Sequence, residues 1–363
     1  MYSSQSTGLR LLAAATLLLL TTHSVADPPP CGTDNAITTI CGFLAPEDID
    51  VMASENKLVV GGFNLDNENG DIRVLDLVDH SVTTVYRPGM TINNSVPGDG
   101  WGDPNCPGPL ATFAAHGIHL SRTETGGYRL LVVNHTGRES VEWLELKVSE
   151  DTVSATWRGC VLVDAPYWIN DIAFLPQGGF VASHMMPVDI ASSMFDRIPN
   201  DKIETGYIVE WRPDSGWRKI RGTDGALPNG ILTSEDGEIL YNNHYLGNQV
   251  IAVERATGKR LWQASVSGAP DNMSLAGDSR LLVTLHHVSL RNIRDECMLK
   301  PVSFCGLPFG LVYIDRGTGL VTPVFESQGA PFGGSTVAVE HKGFIYMGAF
   351  VGDRIGRIKA PDL

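Results

Sequence analysis

The sequence predicts an all-β fold built from six repeated units, and three observations support this prediction. The 363 residues include 39 Gly and 21 Pro, so the chain makes many turns. Segments with helical periodicity are few, whereas short apolar and β-branched runs recur throughout. A hydrophobic fraction of 43% against 19% charged residues can form a substantial core, which excludes a disordered chain.

The repeats share one layout, in which a small or polar pair leads into an apolar strand, a Gly or acidic turn and a second β-rich strand. The units begin at residues 47, 116, 170, 229, 271 and 333, at intervals of 69, 54, 59, 42 and 62 residues. Further strands are predicted at 249–254 and 310–315, each followed by a Thr/Gly hairpin turn. Each unit therefore has room for four strands.

A six-bladed β-propeller explains these repeats. About 40–50 residues per blade is usual, and radial repetition leaves few exposed strand edges. We assign residues 1–26 to a leader and residues 27–363 to a single propeller domain. In this architecture the innermost strand of every blade runs along a central channel, so equivalent positions in the six repeats converge there.

The leader is typical of a secretory signal peptide. Arg10 precedes the apolar run 11–20, and Ser24-Val25-Ala26 places small residues before a cleavage point at Asp27. Such a run is too short for a hydrocarbon core of ~30 Å, and no later segment is long and apolar enough. We expect a secreted or periplasmic protein that is not associated with membranes or lipoproteins once the leader is cleaved. An uncleaved, lipid-binding leader is the alternative.

The six cysteines fit an oxidising compartment. Their spacing shows no Cys-x-x-Cys or histidine-interleaved zinc pattern, so we predict up to three disulfides. We favour the local pair Cys297 and Cys305, because it closes a loop that would otherwise be long.

Several function classes lose support. A formal net charge of −14 without a Lys/Arg cluster disfavours a nucleic-acid partner. The sequence has no Gly-x-Ser-x-Gly elbow, no His-Glu-x-x-His, no Walker loop and no dinucleotide fingerprint. Serine hydrolases, zincins and nucleotide-dependent enzymes are therefore disfavoured.

The polar residues of the repeats are carboxylates and amides with one histidine. They are Glu47, Asp48, His116, Asn170, Asp171, Asn229, Asp271 and Asn272. Taken singly, an Asp-Asn or Asn-Gly pair usually marks a turn. Converging on one channel, they form a set of hard oxygen ligands that suits Ca²⁺ rather than zinc. The sequence therefore predicts a six-bladed β-propeller with calcium in the central channel.

From Glu47 to Asn272 the order and spacing of these motifs resemble the paraoxonases, a family of serum arylesterases and lactonases. They belong to a wider six-bladed group with gluconolactonases and diisopropylfluorophosphatase-like enzymes. The resemblance is densest from His116-Gly117-Ile118 to Asn134-His135. It implies two calcium ions. The catalytic ion would be held by Glu47, Asn170, Asn229, Asp271 and Asn272, and the structural ion by Asp48, Asp171 and the carbonyl of Ile118. It also implies that His116 and His135 form a dyad above the catalytic ion.

The expected activity is calcium-dependent hydrolysis of small lactones or aryl esters, with promiscuity toward organophosphate triesters as an extension. His116, oriented by His135, would act as general base toward water. Alternatively, Asp271 attacks or activates the nucleophile, while the histidines shape the pocket or support their strands. His184, His286 and His287 are interpreted as wall or surface residues.

Two other classes stay open. A strictosidine-synthase-like propeller would use a carboxylate without an essential metal, and a non-catalytic propeller would bind a small molecule or a protein. The full set of calcium positions disfavours the first class, and eight polar residues at one end of the channel disfavour the second.

One feature departs from the paraoxonases, which join their chain ends by a disulfide. The last cysteine here is Cys305, so the ring must be closed differently.

Overall fold

The strands in the described part of the chain form six antiparallel sheets, which confirms the all-β, six-bladed propeller. The computed structural model describes residues 31–34, 36–64, 69–90, 101–150, 152–164, 166–187, 204–299 and 304–362. The leader predicted at 1–26 lies outside the described residues.

The innermost strand of each blade contacts the innermost strands of both neighbouring blades, so these strands close a ring. They are β3 (Pro46–Met52), β7 (Ala115–Arg122), β11 (Ile169–Phe174), β15 (Pro228–Thr233), β19 (Ala269–Ala276) and β23 (Ser335–His341). All six begin at or within two residues of the predicted unit starts.

The remaining strands follow each innermost strand outward as an antiparallel meander. The second strands are β4 (Lys57–Gly62), β8 (Tyr128–Asn134), β12 (Phe180–His184), β16 (Ile239–His244), β20 (Arg280–His286) and β24 (Phe344–Ala349). The third strands are β5 (Ile72–Asp76), β9 (Ser140–Ser149), β13 (Tyr207–Arg212), β17 (Gln249–Glu254), β21 (Phe309–Asp315) and β25 (Arg354–Lys359). The outermost strands of the first five blades are β6 (Val82–Tyr86), β10 (Thr152–Leu162), β14 (Gly216–Lys219), β18 (Arg260–Ser265) and β22 (Val321–Ser327).

The sixth blade takes its outermost strand from the start of the chain. β2 (Ile37–Cys41) pairs antiparallel with β25, with Thr39 opposite Gly356, and β1 (Thr33–Asp34) pairs with β2 beyond it. A backbone ladder between β2 and β25 therefore closes the ring, where the paraoxonases use a disulfide.

Burial follows position in the blade. The second strands β4 and β12 are buried at every residue, because each face of a blade packs against the next blade. The outermost strand β14 is partly or fully exposed throughout. The core therefore lies between blades, as where Val59 and Val74 of blade one pack with Leu130 and Leu144 of blade two.

All six cysteines are paired. The disulfides are Cys31–Cys41, Cys106–Cys160 and Cys297–Cys305, so the favoured local pair is confirmed. Cys297–Cys305 ties down the connection between β20 and β21, which begins with α1 (Leu290–Ile293) and a π-helical turn (Arg294–Met298). No helix in the described ranges is long and apolar enough to cross a membrane.

Candidate active site

A register irregularity at the start of every innermost strand aims the polar residues at the channel. In each blade the ladder skips one or two residues, and these include Glu47, His116, the Asn170-Asp171 pair, Asn229 and the Asp271-Asn272 pair. In blade six Thr336 takes this position. A bulge of this kind removes residues from the ladder and redirects their side chains. The channel therefore collects all of these residues at one end.

Two of the bulges need glycine because the blades approach closely there. A Cβ on Gly117 would lie 2.6 Å from Asp171 Cα, and a Cβ on Gly230 would lie 2.8 Å from Asn272 Cα. A side chain at either position would force neighbouring blades apart. The His-Gly and Asn-Gly pairs therefore allow the polar residues of successive blades to meet.

A cavity of about 320 Å³ opens above this end of the channel. Polar side chains form its floor, and mostly apolar side chains form its walls. The floor contains Glu47, His116, Asn170, Asn229, Asp271 and Thr336, and the walls contain Phe63, Trp168, Ile169, Met185, Leu227, Tyr245, His286, Leu290, Ile293, Met298 and Phe350. This combination suits a small, largely apolar ligand with one reactive polar group.

Several buried oxygens at the floor have no hydrogen-bond partner. They are Glu47 Oε2, Asn229 Oδ1 and Asn272 Oδ1, and all three residues are at most 3% exposed. Asn272 Nδ2 donates to Glu47 Oε1 at 3.1 Å, which links blades five and one. Buried polar atoms are rarely left without a partner. These oxygens therefore fit an oxygen-seeking cation.

Electrostatics support the same conclusion. Burial, reinforced by the charges of Asp48, Asp271 and Asp171, raises the pKa of Glu47 well above its usual range. Burial also raises the pKa of Asp271 to about 8 and that of Asp171 to about 7. No lysine or arginine in the described part of the chain forms an ion pair with these four carboxylates. A divalent cation would relieve their repulsion.

The donor set decides which cation fits. Within the described residues, no three His, Cys, Asp or Glu side chains meet closely enough to hold a metal by themselves. A site here must include asparagine oxygens, and amide and carboxylate oxygens suit calcium. The residues available are Glu47, Asn170, Asn229, Asp271 and Asn272.

Asp48 and Asp171, assigned by resemblance to a second calcium, are already hydrogen-bonded. Asp48 accepts from the amides of Ile49 at 2.8 Å and Ile118 at 2.7 Å. Asp171 accepts from Ile172 at 2.7 Å and Ile231 at 2.8 Å. Each carboxylate thus bridges its own strand to the innermost strand of the next blade. The structure brings the amide of Ile118 to Asp48, and a structural calcium there stays a prediction.

The two predicted catalytic histidines do form a dyad. His116 Nδ1 lies 2.8 Å from His135 Nε2, and His116 Nε2 lies 3.2 Å from Asn170 Nδ2 and 3.9 Å from Glu47 Oε1. Phe63 stacks on His116 with ring centroids 4.3 Å apart. Burial, with a smaller contribution from His135, lowers the pKa of His116 well below its usual value. His116 is therefore neutral and lies at the edge of the candidate cation site.

Three further histidines have distinct positions. His286 is a wall residue, as interpreted, but it also lies 3.5 Å from Asp271 Oδ2 and 2.8 Å from the Tyr245 hydroxyl. His184 is buried, and its Nδ1 accepts a hydrogen bond from the backbone N–H of the wall residue Trp168 at 3.2 Å. It therefore helps to hold Trp168 in place. His287 lies 2.8 Å from Glu326 on a more exposed part of the blade.

Tyr245, Trp168 and Glu139 contact the site residues but were missed by sequence reasoning. The sequence did contain a signal for Tyr245. The second strands of three successive blades each end in a histidine, paired with the residue that begins the innermost strand just before its bulge; these are His184, His244 and His286. Tyr245 directly follows one of these positions. Trp168 and Glu139 lie in connections, where the repeats give no register.

Solved structures with a similar fold include a luciferin-regenerating enzyme and a candidate gluconolactonase. The luciferin-regenerating enzyme is 12% identical, with a TM-score of 0.53 over 90% of this chain and 96% of its own. The candidate gluconolactonase is 11% identical, with a TM-score of 0.51 over 91% of this chain and 94% of its own. At these identities the likeness establishes the fold alone. No family profile and no curated protein matches the sequence.

Proposed function

We propose that this chain is a calcium-dependent hydrolase of lactones or aryl esters. The observation that carries the proposal is the set of unpartnered oxygens on Glu47, Asn229 and Asn272, which lies beside Asp271 on the floor of an apolar cavity. The likeness to a candidate gluconolactonase and the paraoxonase-like motifs support a lactone or ester substrate. Activity toward organophosphate triesters would be an additional promiscuity of the same site.

The proposed catalytic ion is held by the oxygens of Glu47, Asn170, Asn229, Asp271 and Asn272. A bound calcium ion would polarise the ester carbonyl and stabilise the negative charge that develops on its oxygen. The apolar walls exclude water from the rest of the substrate, and Phe63 and Trp168 flank the histidines.

In this proposal His116 removes a proton from the attacking water. Its low pKa keeps it neutral, and Nε2 lies on the cavity side of the ring beside Asn170 and Glu47. His135 holds the ring from the other side through Nδ1. His116 can then return the proton to the leaving alkoxide as the ester bond breaks.

The competing assignment makes Asp271 the nucleophile or base. His286 and Asn229 both contact this carboxylate, and burial raises its pKa to about 8. A calcium ion held by this carboxylate would keep it ionised and would engage the oxygens that a nucleophile needs free. We therefore assign Asp271 as a ligand of the ion and His116 as the base that accepts the proton from water.

The test combines metal analysis with a hydrolysis screen. Purified protein is analysed for bound metals and then assayed on phenyl acetate and on γ- and δ-lactones, with and without excess EDTA. We expect bound calcium, hydrolysis of at least one substrate class, loss of activity in EDTA and recovery with calcium but not magnesium. Hydrolysis that is unaffected by EDTA, in protein without bound calcium, would contradict the proposal.

A further inference from the structure

A chain of hydrogen bonds leads from the cavity through both histidines toward the surface. It begins at Asn170 Nδ2, 3.2 Å from His116 Nε2, and continues over 2.8 Å from His116 Nδ1 to His135 Nε2. It ends at Glu139 Oε2, 2.6 Å from His135 Nδ1. The side chain of His135 is 4% exposed and that of Glu139 is 29% exposed, so the carboxylate ends the chain at the edge of solvent.

The groups at the two ends of this hydrogen-bond chain both require its hydrogens to be donated from Asn170 toward Glu139. An amide nitrogen can only donate, and an ionised carboxylate can only accept. His116 Nε2 must therefore accept from Asn170, so the proton of His116 is on Nδ1 and is donated to His135. His135 in turn carries its proton on Nδ1 and donates to Glu139. His116 then presents a lone pair, not a proton, at the cavity.

Trp168 requires the opposite arrangement. Its indole Nε1 lies 2.7 Å from the same His135 Nδ1 and can only donate, so it needs that nitrogen unprotonated. His135 would then donate from Nε2 to His116 Nδ1. His116 would carry its proton on Nε2, facing the donor amide of Asn170, and could not accept a proton there.

We propose that Glu139 is a positioning residue that selects the His135 tautomer and thereby keeps His116 Nε2 available as a base. A hydrogen bond to an ionised group is roughly twice as strong as a neutral one, so the carboxylate prevails over the indole. Glu139 does not line the cavity, so it acts through His135. Only the catalytic consequence rests on the proposed function, since the tautomer is a property of these side chains alone.

Imidazole ¹⁵N spectra of the labelled protein test the tautomers directly. In the wild type we expect both His116 and His135 to be protonated on Nδ1. In Glu139→Ala, Trp168 is the described partner that remains at His135 Nδ1, so both rings should become protonated on Nε2. Glu139→Gln should switch the tautomers only in part, because its amide oxygen can still accept but lacks the charge that lets the carboxylate prevail over the indole.

Kinetics test the catalytic consequence. Glu139→Ala should lower kcat on the best lactone or ester substrate by about 10–100-fold with little change in KM, part of the usual yield of general base catalysis. Glu139→Gln should recover only part of this loss, because its acceptor is neutral. Adding Trp168→Phe to Glu139→Ala removes the competing donor and should also recover part of it. The control is Glu124→Ala, an exposed carboxylate on a hairpin of the same blade, which should leave kcat and KM unchanged.

The outcomes separate the two proposals. A wild-type spectrum with His135 protonated on Nε2, or tautomers that persist in Glu139→Ala, overturns the role of Glu139 whatever the activity. Tautomers that switch without a change in kcat also overturn it. If the tautomers switch as expected but the wild type hydrolyses no ester or lactone, the proposed function fails and the tautomer assignment stands. Should Glu139→Ala not fold, the wild-type spectrum decides the assignment.

Discussion

The channel contains two sets of acidic and amide residues that look alike in sequence but differ in their hydrogen bonding. The open set, formed by Glu47, Asn229, Asp271 and Asn272, includes three buried oxygens without a partner. The saturated set, formed by Asp48, Asp50 and Asp171, has two backbone N–H donors for each carboxylate. Whether such a residue can be a metal ligand or instead links two blades therefore depends on the hydrogen-bond donors around its oxygens, and residue type alone does not decide it.

The largest expected difference in activity is between two variants, each with one carboxylate substituted, one in the open set and one in the saturated set. Asp271→Ala should lower kcat/KM by orders of magnitude and remove the catalytic calcium, because it deletes a charged oxygen from the open set. Asp50→Asn keeps one acceptor in the saturated set and should retain calcium and turnover. Metal analysis, kinetics and melting curves of both variants provide the comparison. Wild-type turnover in a folded Asp271→Ala variant would refute the proposed centre.

The histidine dyad contacts the open set and should show the next largest effect. His116→Gln should retain calcium but lower kcat by about 10²–10⁴, the usual contribution of general acid–base catalysis. His135→Gln should cost less, and the double variant should be no worse than His116→Gln because the two residues act as one unit. If His116→Gln hydrolyses lactones at nearly the wild-type rate, Asp271 becomes the preferred nucleophile or base.

The number of calcium ions bound per chain tests whether the saturated set also binds calcium. If only the open set binds calcium, Asp171→Asn should leave the number of bound ions unchanged and lower the free energy of unfolding by about 1–3 kcal/mol, the cost of one lost hydrogen-bond acceptor. If the saturated set holds the predicted structural ion, the same variant should lose one calcium. Excess EDTA should lower the melting temperature in either case, since calcium at 100 times its Kd stabilises the folded state by about 2.7 kcal/mol.

The last effect is confined to acidic pH and concerns a buried histidine outside both sets. Burial lowers the pKa of His184 to about 4, so the unfolded chain binds a proton more readily than the folded chain between about pH 6.5 and 4. Stability that is present above pH 6.5 is therefore lost as the pH falls toward 4. His184→Asn keeps an acceptor near Trp168 and should reduce that loss by up to roughly 3 kcal/mol.

Denaturant unfolding across this pH range measures the difference between His184→Asn and the wild type. The baseline is the difference between the two proteins above pH 7, where the His184 ring is neutral in both the folded and the unfolded chain. Identical curves for wild type and His184→Asn would show that His184 does not contribute to acid sensitivity.

The repeats allowed the blades and their innermost strands to be predicted, because a polar pair before an apolar strand is a local pattern. Local pattern could not separate Asp48 from Glu47, since the second donor to Asp48 is the amide of Ile118 in the next blade. The same limit applies to Glu139 and Trp168, which both contact His135. Each lies in a loop between strands, where the repeats do not fix the position of a residue. The pairing of β2 with β25 was also beyond local pattern, because nothing in 37–41 specifies its partner.

The backbone ladder that closes the ring also sets the order in which the protein can be completed. β2 (Ile37–Cys41) is made about 300 residues before its partner β25 (Arg354–Lys359). At about 5–20 residues per second, roughly 15–60 s separate the two strands at the ribosome. Throughout that interval β2 can pair only with β1, and blade six is incomplete. Two unfinished chains could exchange β2 in that time, so the end-to-end ladder is the point at which this propeller is most open to domain swapping.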